Sequence, residues 1–268
     1  MDLSQIKLIV TDLDGTLLNS KHEVSDLFFQ LFEALKKHDI LFVAASGRPY
    51  YSIIEKLDRI KHDIIFVAEN GGLVIKDNQH LLSTPMPTDH LMAIQDLINA
   101  NSAIHPVFCT PSKAYFSTDS SDSYIQILKE YYPKSGIIKS IDDIKEEVIK
   151  IALYHFEDSE KYIYPSFKTL ESDYDVKVSG KHWVDISDPL ANKGHAIQML
   201  QNKYNISQEE TLVFGDYNND LEMLKLATYS FAMANAHENV LKTANFKTKS
   251  NDEFGVEFIL EKLLQAKN

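Results

Sequence analysis

The chain has 268 residues, the length of one large domain or two smaller ones, and is long enough to bury a substantial core. A hydrophobic fraction of 44%, with only 9 glycines and 8 prolines, excludes a disordered or low-complexity protein. The 39 acidic residues outnumber the 27 basic ones and give a formal net charge of −12, which argues against a nucleic-acid partner. Cys109 is the single cysteine, so an internal disulfide is impossible. We see no signal-peptide pattern and no apolar stretch of about eighteen residues, and expect a cytoplasmic protein with no membrane partner.

Three short apolar runs alternate with two helical patterns in the first part of the chain. Residues 6–11, 40–45 and 64–68 have the length and the β-branched content of buried strands. Between these runs, apolar residues recur at helical spacing over 27–35 and 53–60. Near-continuous apolar strands joined by helices indicate a parallel sheet with helices on both faces.

The middle of the chain has a different pattern, and the first pattern then resumes. Predicted strands at 106–109, 113–116, 150–156, 176–179 and 183–186 have the alternation typical of antiparallel hairpins. Helices and strands alternate again after residue 188, beginning with a helix over 193–204 and a strand over 211–214. We predict an α/β fold, a doubly wound and mainly parallel Rossmann-like sheet formed by 1–83 and 188–268, interrupted by a mixed α/β domain at 84–187.

Polar residues follow four of the predicted strands of the first domain. They lie at 12–16, 46–48, 69–72 and 215–220, and Lys193 begins a helix that leads back to the same sheet. Ligands of open parallel sheets bind at the carboxyl ends of the strands. We therefore expect these residues to surround one site.

Asp12 and Asp14 lie two residues apart where the first strand ends. A carboxylate is a competent nucleophile toward phosphorus, and a second carboxyl group can protonate the leaving oxygen. Gly15 permits a sharp turn between the strand and the next segment. The structural alternative is an ordinary Asp-Gly turn after a strand.

The other three groups supply phosphate donors and metal ligands. The Ser46 hydroxyl, the Gly47 amide and Asn219 can donate hydrogen bonds to a phosphate, although Ser46 can also cap a helix and Asn219 can serve a turn. Lys193 would reduce repulsion between a nucleophile and a phosphate, although a lysine at a helix start is commonly solvated. Asp216 and Asp220 are spaced to face one side of a helical turn, and with Asp12 they suit Mg²⁺. Their alternative is a pair of acids that favour a helix N-terminus.

The four groups resemble the motifs of a known family, in the order in which that family has them. Asp-Leu-Asp-Gly-Thr-Leu at 12–17 looks like the first motif of the haloacid dehalogenase-like hydrolases. Ser46 before Gly-Arg-Pro, Lys193 in Asn-Lys-Gly, and Gly-Asp-Tyr-Asn-Asn-Asp at 215–220 resemble the second, third and fourth. The insertion and Glu-Asn-Gly at 69–71 resemble the Cof-type sugar-phosphatase branch. Two departures from that branch, Tyr217 and the Met-Ala-Asn-Ala at 233–236, leave every catalytic group in place.

The resemblance implies a role for each of these residues. Asp12 would attack the phosphoryl group to form an aspartyl-phosphate, and Asp14 would protonate the leaving alkoxide and then activate water. Mg²⁺ would be held by the Asp12 carboxylate, the Asp14 backbone carbonyl and Asp216, with Asp220 orienting the metal shell. The implied phosphate-binding groups are the Leu13 amide, Ser46, Gly47, Lys193 and Asn219. The insertion would be a cap that selects the substrate.

The predicted function is therefore Mg²⁺-dependent hydrolysis of small phosphomonoesters, sugar phosphates or related metabolites, by a monomer or homodimer. A phosphomutase using the same intermediate is one alternative, and a phospho-aspartate signalling module is another of a different class. The sequence leaves open the substrate, the cap residues that contact it, and the roles of Arg48, Glu69 and Asn70. We expect Trp183 to be a packing residue, Cys109 a buried apolar one, and His182 a surface residue.

Overall fold

The computed structural model describes residues 2–118 and 120–268, and only the backbone of Asp89 and Glu130. Within these residues fourteen strands form two sheets. The strands are β1 (Leu8–Asp12), β2 (Leu41–Ala45), β3 (Ile65–Ala68), β4 (Leu73–Lys76), β5 (Gln79–Ser83), β6 (His105–Cys109), β7 (Ala114–Ser117), β8 (Ser135–Ile138), β9 (Lys150–Tyr154), β10 (Asp175–Gly180), β11 (Trp183–Ser187), β12 (Thr211–Gly215), β13 (Tyr229–Ala232) and β14 (Phe246–Lys247). The α-helices are α1 (Asp26–Leu35), α2 (Tyr50–Lys56), α3 (Thr88–Asn99), α4 (Asp122–Tyr131), α5 (Ser159–Tyr162), α6 (Tyr164–Phe167), α7 (Lys193–Tyr204), α8 (Leu221–Leu224), α9 (Glu238–Thr243) and α10 (Gly255–Lys267).

The large sheet has the strand order β14-β13-β12-β1-β2-β3-β4-β5. Its strands from β14 to β3 are parallel, and β1 pairs with β2 on one side and with β12 on the other. The chain therefore winds away from β1 in one direction and returns on the opposite side. The crevice between β1 and β12 is the point where a doubly wound sheet binds its ligand.

Both faces of the large sheet are covered by helices, because its strands are apolar on both sides. On one face, Ile9, Phe42 and Phe66 pack against α1, α2 and α10. On the other face, Val10, Val43 and Val213 pack against α7, α8 and α9. Ser25 caps the start of helix α1, and its hydroxyl accepts a hydrogen bond from the Phe28 amide at 2.9 Å.

A hairpin formed by β4 and β5 extends the large sheet and was not predicted from the sequence. Both strands run antiparallel, β4 beside β3 and β5 beside β4. Asp77 and Asn78 form the turn with φ values of 49° and 61°, the left-handed backbone that two-residue hairpin turns require. Strand β5 lies at the edge of the sheet and its residues are exposed or half-buried, so it lacks the apolar run by which β1 to β3 are recognised.

The insertion forms the small sheet, with the strand order β10-β11-β9-β6-β7-β8. Neighbouring strands are antiparallel except β7 and β8, and β8 is a further strand that the sequence did not predict. The five predicted strands of the insertion are all present, with ends displaced by one or two residues. The predicted fold class is confirmed, a doubly wound core with an inserted mixed α/β cap. The boundaries at 83/84 and 187/188 stay a prediction.

The cap packs closely against the core beside the carboxyl ends of the strands. Tyr51 of α2 is buried in a cluster that otherwise consists of cap residues, including Cys109 and Tyr132. A Cβ atom on Gly72 would lie 2.5 Å from Ile149 Cγ2, so this glycine allows the core loop to approach the start of β9. In the described part of the chain, no helix is long and apolar enough to cross a membrane.

Candidate active site

The four polar groups predicted from the sequence converge at the carboxyl edge of the large sheet. Asp12 ends β1, Ser46 follows β2, and the loop that begins with Asp216 follows β12. Lys193 is the first residue of α7 and reaches the same place from below the sheet. A cavity of about 600 Å³ lies over this edge, and residues of the cap line its other side.

Asp12, Lys193 and Asp220 form a buried charge cluster at the floor of the cavity. The Lys193 Nζ atom donates to Asp12 Oδ1 at 2.5 Å and to Asp220 Oδ1 at 2.7 Å, and the lysine side chain is completely buried. Burial alone would lower the pKa of Lys193, but the carboxylates of Asp12 and Asp220 raise it above its ordinary value. Lys193 therefore lies beside Asp12, as predicted. The alternative interpretation, in which Lys193 is a solvated side chain, is wrong.

The two aspartates after β12 have different surroundings. Asp220 is fully buried, and its Oδ2 atom accepts hydrogen bonds from the backbone amides of Asp216 and Tyr217 at 2.9 and 3.1 Å. The expectation that Asp216 and Asp220 share a helical turn is wrong, because Asp216 precedes the short 3-10 helix Asn218–Asp220. Instead, the hydrogen bonds from the Asp216 and Tyr217 amides to Asp220 Oδ2 bring the two carboxylates together.

Asp12, Asp216 and Asp220 can together hold a metal ion. One carboxylate oxygen of each lies within 4.8 Å of the others. Burial, followed by the charge of Asp220, raises the pKa of Asp216 to about 6. Burial also raises the pKa of Asp12 well above its ordinary value, although Lys193 acts in the opposite direction. The cluster thus combines three carboxyl groups with a single ammonium group, that of Lys193. Carboxylate oxygens are hard donors, so this cluster suits a divalent cation.

Gly15 allows the first motif to lie directly against Asp216. Its φ of +79° is unfavourable for residues with a side chain, and a Cβ atom would collide with the Asp216 carboxylate. Thr16 Oγ1 donates to Asp216 Oδ1 at 3.0 Å, and Asn235 Nδ2 donates to the Gly15 carbonyl at 2.8 Å. The turn after β1 is therefore fixed against the loop after β12.

Asp14 also lines the cavity and pairs with Arg48. The Arg48 Nε and Nη2 atoms donate to the two oxygens of Asp14, each at 2.6 Å, and His22 Nδ1 lies 3.3 Å from Asp14 Oδ1. Burial favours the neutral acid, but the hydrogen bonds and charge of Arg48 outweigh it, so the pKa of Asp14 lies below its ordinary value. Asp14 is therefore a carboxylate in this arrangement, the form that accepts a proton from water.

The loop after β2 is held in shape by the loop after β3. The amides of Asn70 and Glu69 donate to the carbonyls of Ser46 and Arg48, each at 3.0 Å. Glu69 and Asn70 adopt left-handed backbone angles, with φ of 49° and 56°. A Cβ atom on Gly47 would lie 2.9 Å from Asn70 Oδ1. We call Ser46, Gly47 and Arg48 the phosphate loop.

The structure divides the predicted site residues into two sets. Those that line the cavity are Asp12, Asp14, Ser46, Gly47, Asp216 and Asn219. Leu13, Lys193 and Asp220 have fully buried side chains and lie behind this surface. Asn219 donates to Asn70 Oδ1 at 3.0 Å, which orders the cavity floor. The roles of all these residues toward a substrate stay predictions.

The cap forms one wall of the cavity, and no sequence pattern identified the residues of this wall. Tyr131, Tyr132, Trp183, Ser179, Lys150 and Asp185 line the cavity from this side. Trp183 packs against Tyr154 with ring centroids 4.8 Å apart, as expected of a packing residue, and also faces the cavity. Cys109 is buried as expected. His182 lies in the turn between β10 and β11 but is half-buried rather than exposed, with its Nδ1 atom 3.1 Å from the His155 carbonyl oxygen.

His22 and Lys150 belong to the site but were not predicted from the sequence. They differ in whether a sequence pattern could have identified them. His22 lies in an irregular loop eight residues after Asp14, and no pattern distinguishes it from a surface histidine. Lys150 begins an apolar strand, Lys-Ile-Ala-Leu-Tyr. A charged side chain in a buried apolar strand is stable only when it is paired with an opposite charge. The pattern therefore could have identified Lys150 as a residue that requires an acidic partner.

Comparison with known proteins identifies the family. The family model of the haloacid dehalogenase-like hydrolases matches residues 9–260. The chain is 29% identical to 5-amino-6-(5-phospho-D-ribitylamino)uracil phosphatase YbjI of Escherichia coli strain K12, covering 97% of each chain. It is 29% identical to the putative phosphatase YxeH of Bacillus subtilis strain 168, over 97% of this chain and 99% of that one.

A solved structure agrees with this result. SMU.1108c from Streptococcus mutans UA159 superposes with a TM-score of 0.86 at 32% identity, covering 97% of this chain and 99% of that one. The family model, the four motifs and the doubly wound core with its cap all lead to one assignment. The chain belongs to the Cof-type branch of the haloacid dehalogenase-like hydrolases and is a phosphoric monoester hydrolase.

Proposed function

We propose that the protein hydrolyses small phosphomonoesters with Mg²⁺ through an aspartyl-phosphate on Asp12. The observation that carries this proposal is the position of Asp12, at the floor of the cavity, with one oxygen fixed by Lys193 and with Asp14 lining the same cavity. A carboxylate held in this way has a fixed direction of attack, which is what covalent phosphoryl transfer requires.

The first chemical step forms the aspartyl-phosphate. An Asp12 oxygen bonds to phosphorus as the bond from phosphorus to the ester oxygen breaks, and Asp14 delivers a proton to the departing alkoxide. Asp14 must first take up a proton, and its pairing with Arg48 opposes this. Arg48 therefore has to shift toward the bound phosphate for Asp14 to act as an acid. In the second step Asp14 removes a proton from water, which attacks phosphorus and releases inorganic phosphate and free Asp12.

The phosphate is bound by donors on two sides of the cavity. The Ser46 hydroxyl, the Gly47 amide and Asn219 lie along the cavity surface and can donate to phosphate oxygens. Lys193 acts through Asp12, whose charge it balances, and the Leu13 amide supplies a further donor from the end of β1. Together these groups neutralise and orient a transferring phosphoryl group.

Mg²⁺ would be held by the Asp12 carboxylate, the Asp14 backbone carbonyl and Asp216. Asp220 orients this set, because both of its carboxylate oxygens are already engaged, with Lys193 and with backbone amides. When bound, the ion neutralises charge on the transferring phosphoryl group. Divalent metals are general in this family, and the carboxylate set fits Mg²⁺ by its hard oxygen donors.

We propose that residues 84–187 form the cap that selects the leaving group, and that the leaving group is a sugar or a related metabolite. The cavity is large enough for such a group and has both aromatic and charged residues on its cap side, such as Trp183 and Asp185. The relative from Escherichia coli is named as a phosphatase of a phosphorylated ribitylaminouracil, which combines a polyol with a ring. Such metabolites occur in the cytoplasm, where we place this protein.

Replacement of Asp12 or Asp14 by asparagine tests the proposed chemistry. Each substitution should reduce hydrolysis of p-nitrophenyl phosphate by about three orders of magnitude or more, while Asp58→Asn, at an exposed position, should leave it unchanged. Asp14→Asn should also accumulate phosphoenzyme that is detected by mass spectrometry. Retention of most activity in the Asp12 or Asp14 variant would refute the assignment.

The products and the metal requirement distinguish the alternatives. Incubation with a sugar phosphate should release inorganic phosphate, whereas an isomerised sugar phosphate with little free phosphate would indicate a phosphomutase. An aspartyl-phosphate stable for hours would indicate a signalling module. Removal of metal by EDTA should stop hydrolysis and added Mg²⁺ should restore it. Undiminished activity of metal-free protein would contradict the role of Mg²⁺.

A further inference from the structure

An ion cluster in the wall of the cavity joins the cap to the core. Lys150, at the start of the cap strand β9, places its Nζ atom 2.7 Å from Glu69 Oε2 of the core and 3.5 Å from Asp185 Oδ2 of the cap. Lys150 and Glu69 are 4% and 2% exposed. The two residues are 81 positions apart in the sequence, so the contact exists only when the cap lies against the core.

The Lys150 ammonium also touches the phosphate loop. Its Nζ atom donates to the Gly47 carbonyl at 3.4 Å. Glu69, its partner, donates its own backbone amide to the Arg48 carbonyl at 3.0 Å. One cap side chain therefore contacts both the loop that carries Ser46 and Arg48 and the segment that supports this loop.

Glu69 depends on this lysine. Its Oε1 atom has no hydrogen-bond partner among the described residues, and the Lys150 ammonium is the group that balances its charge. Burial raises the pKa of Glu69 above its ordinary value against the effect of Lys150. Burial would lower the pKa of Lys150, but Asp185 and Glu69 raise it, so the lysine is charged. A buried ion pair contributes little net stability compared with apolar packing, so its value lies in the geometry that it enforces.

We propose that Lys150 is a positioning residue of the phosphatase, whose ammonium group fixes the phosphate loop in its binding geometry when the cap is closed. This inference rests on the proposed function, because it assigns the phosphate to the loop of Ser46, Gly47 and Arg48. Lys150 does not contact the reacting atoms. It couples closure of the cap to the placement of the Gly47 amide and the Arg48 guanidinium, so that the phosphate site is complete only when the cap is closed.

The test separates this positioning role from simple charge balance. Lys150→Met leaves Glu69 buried without a partner and is expected to lower stability as well as activity. The double variant Lys150→Met, Glu69→Gln removes both charges and should recover much of the stability of the wild type. If Lys150 positions the loop, the double variant still has a kcat/KM at least about tenfold below that of the wild type. Recovery of activity together with stability would overturn the proposal.

The matched control is Lys177→Met, which removes an exposed cap lysine paired with Asp175 and should behave as the wild type. Lys150→Arg keeps the charge and should retain more activity than Lys150→Met. The loss should be similar for p-nitrophenyl phosphate and for glucose 6-phosphate, since the loop binds the group that they share. A loss confined to glucose 6-phosphate would place Lys150 on the leaving group and overturn the proposal.

A second measurement does not depend on turnover. Trp183 is the single tryptophan, and it lies in the cavity wall on the cap. Its fluorescence should report the binding of inorganic phosphate in the presence of Mg²⁺, with a dissociation constant at least about tenfold weaker in the double variant. If calorimetry shows equal phosphate affinity in the two proteins, the proposal is wrong. If the wild type hydrolyses no phosphomonoester, the proposed function fails. If the wild type is active and the double variant equals it in kcat/KM and in phosphate affinity, only the role of Lys150 fails.

Discussion

Replacing Lys193 by methionine removes the ammonium group from the floor of the active site and keeps most of the side-chain volume. Its Nζ atom lies 2.5 Å from Asp12 Oδ1 and 2.7 Å from Asp220 Oδ1, and the side chain has no exposed surface. Loss of one partner from a buried ion pair costs about 3–5 kcal/mol. We therefore expect the free energy of unfolding of the metal-free protein to fall by about that amount.

The same substitution should disable the nucleophile. Burial already raises the pKa of Asp12, and loss of Lys193 removes the charge that opposes this rise, so the carboxylate form that attacks phosphorus becomes less populated. Urea denaturation with and without Mg²⁺ measures the stability, and hydrolysis of p-nitrophenyl phosphate measures the activity. Added Mg²⁺ should recover part of the lost stability, since it replaces some of the missing positive charge.

Lys203→Met, an exposed position near the end of the same helix, is the matched control and should change stability by less than about 0.5 kcal/mol. The reasoning is refuted if Lys193→Met unfolds within about 1 kcal/mol of the wild type and keeps most of its activity. Such a result would mean that the carboxylates at the cavity floor are neutral in the wild type.

Three further predictions concern the same site. Gly15→Ala, at a φ of +79° and against the Asp216 carboxylate, should weaken Mg²⁺ binding at least about tenfold by calorimetry; unchanged affinity would contradict the close approach. The pKa of about 6 for Asp216 in the metal-free protein means that protons compete with the metal below that pH. Mg²⁺ affinity should therefore fall as the pH drops from about 7 to about 5, and a flat titration over this range would be inconsistent with this. Arg48→Met should raise the pKa of Asp14, whose charged form Arg48 stabilises. The acidic limb of the kcat/KM profile, which reports the free enzyme, should move to higher pH, and an unmoved limb would show that Asp14 is not the titrating base.

Much of the core was predictable because its signals are local. A buried parallel strand needs an apolar run, and each loop at a strand end has its polar residues in succession, as at 12–16 and 46–48. The carboxyl ends of such strands meet at one edge of the sheet, so Asp12, Ser46 and Asp216 were expected together from topology alone. The hairpin of β4 and β5 was not predicted, because its outer strand lies at the edge of the sheet and carries few buried apolar residues.

The amino-acid sequence defines the chemical groups of the site and the order along the chain of the strands that carry them. Which of these groups face the cavity, and which lie behind it, depends on how the chain packs in three dimensions. Lys193 became a buried partner of Asp12 because α7 returns beneath the sheet, and Lys150 met Glu69 because the cap folds over the core. These contacts join residues 181 and 81 positions apart, and no local pattern specifies the partner of a charge at such a separation.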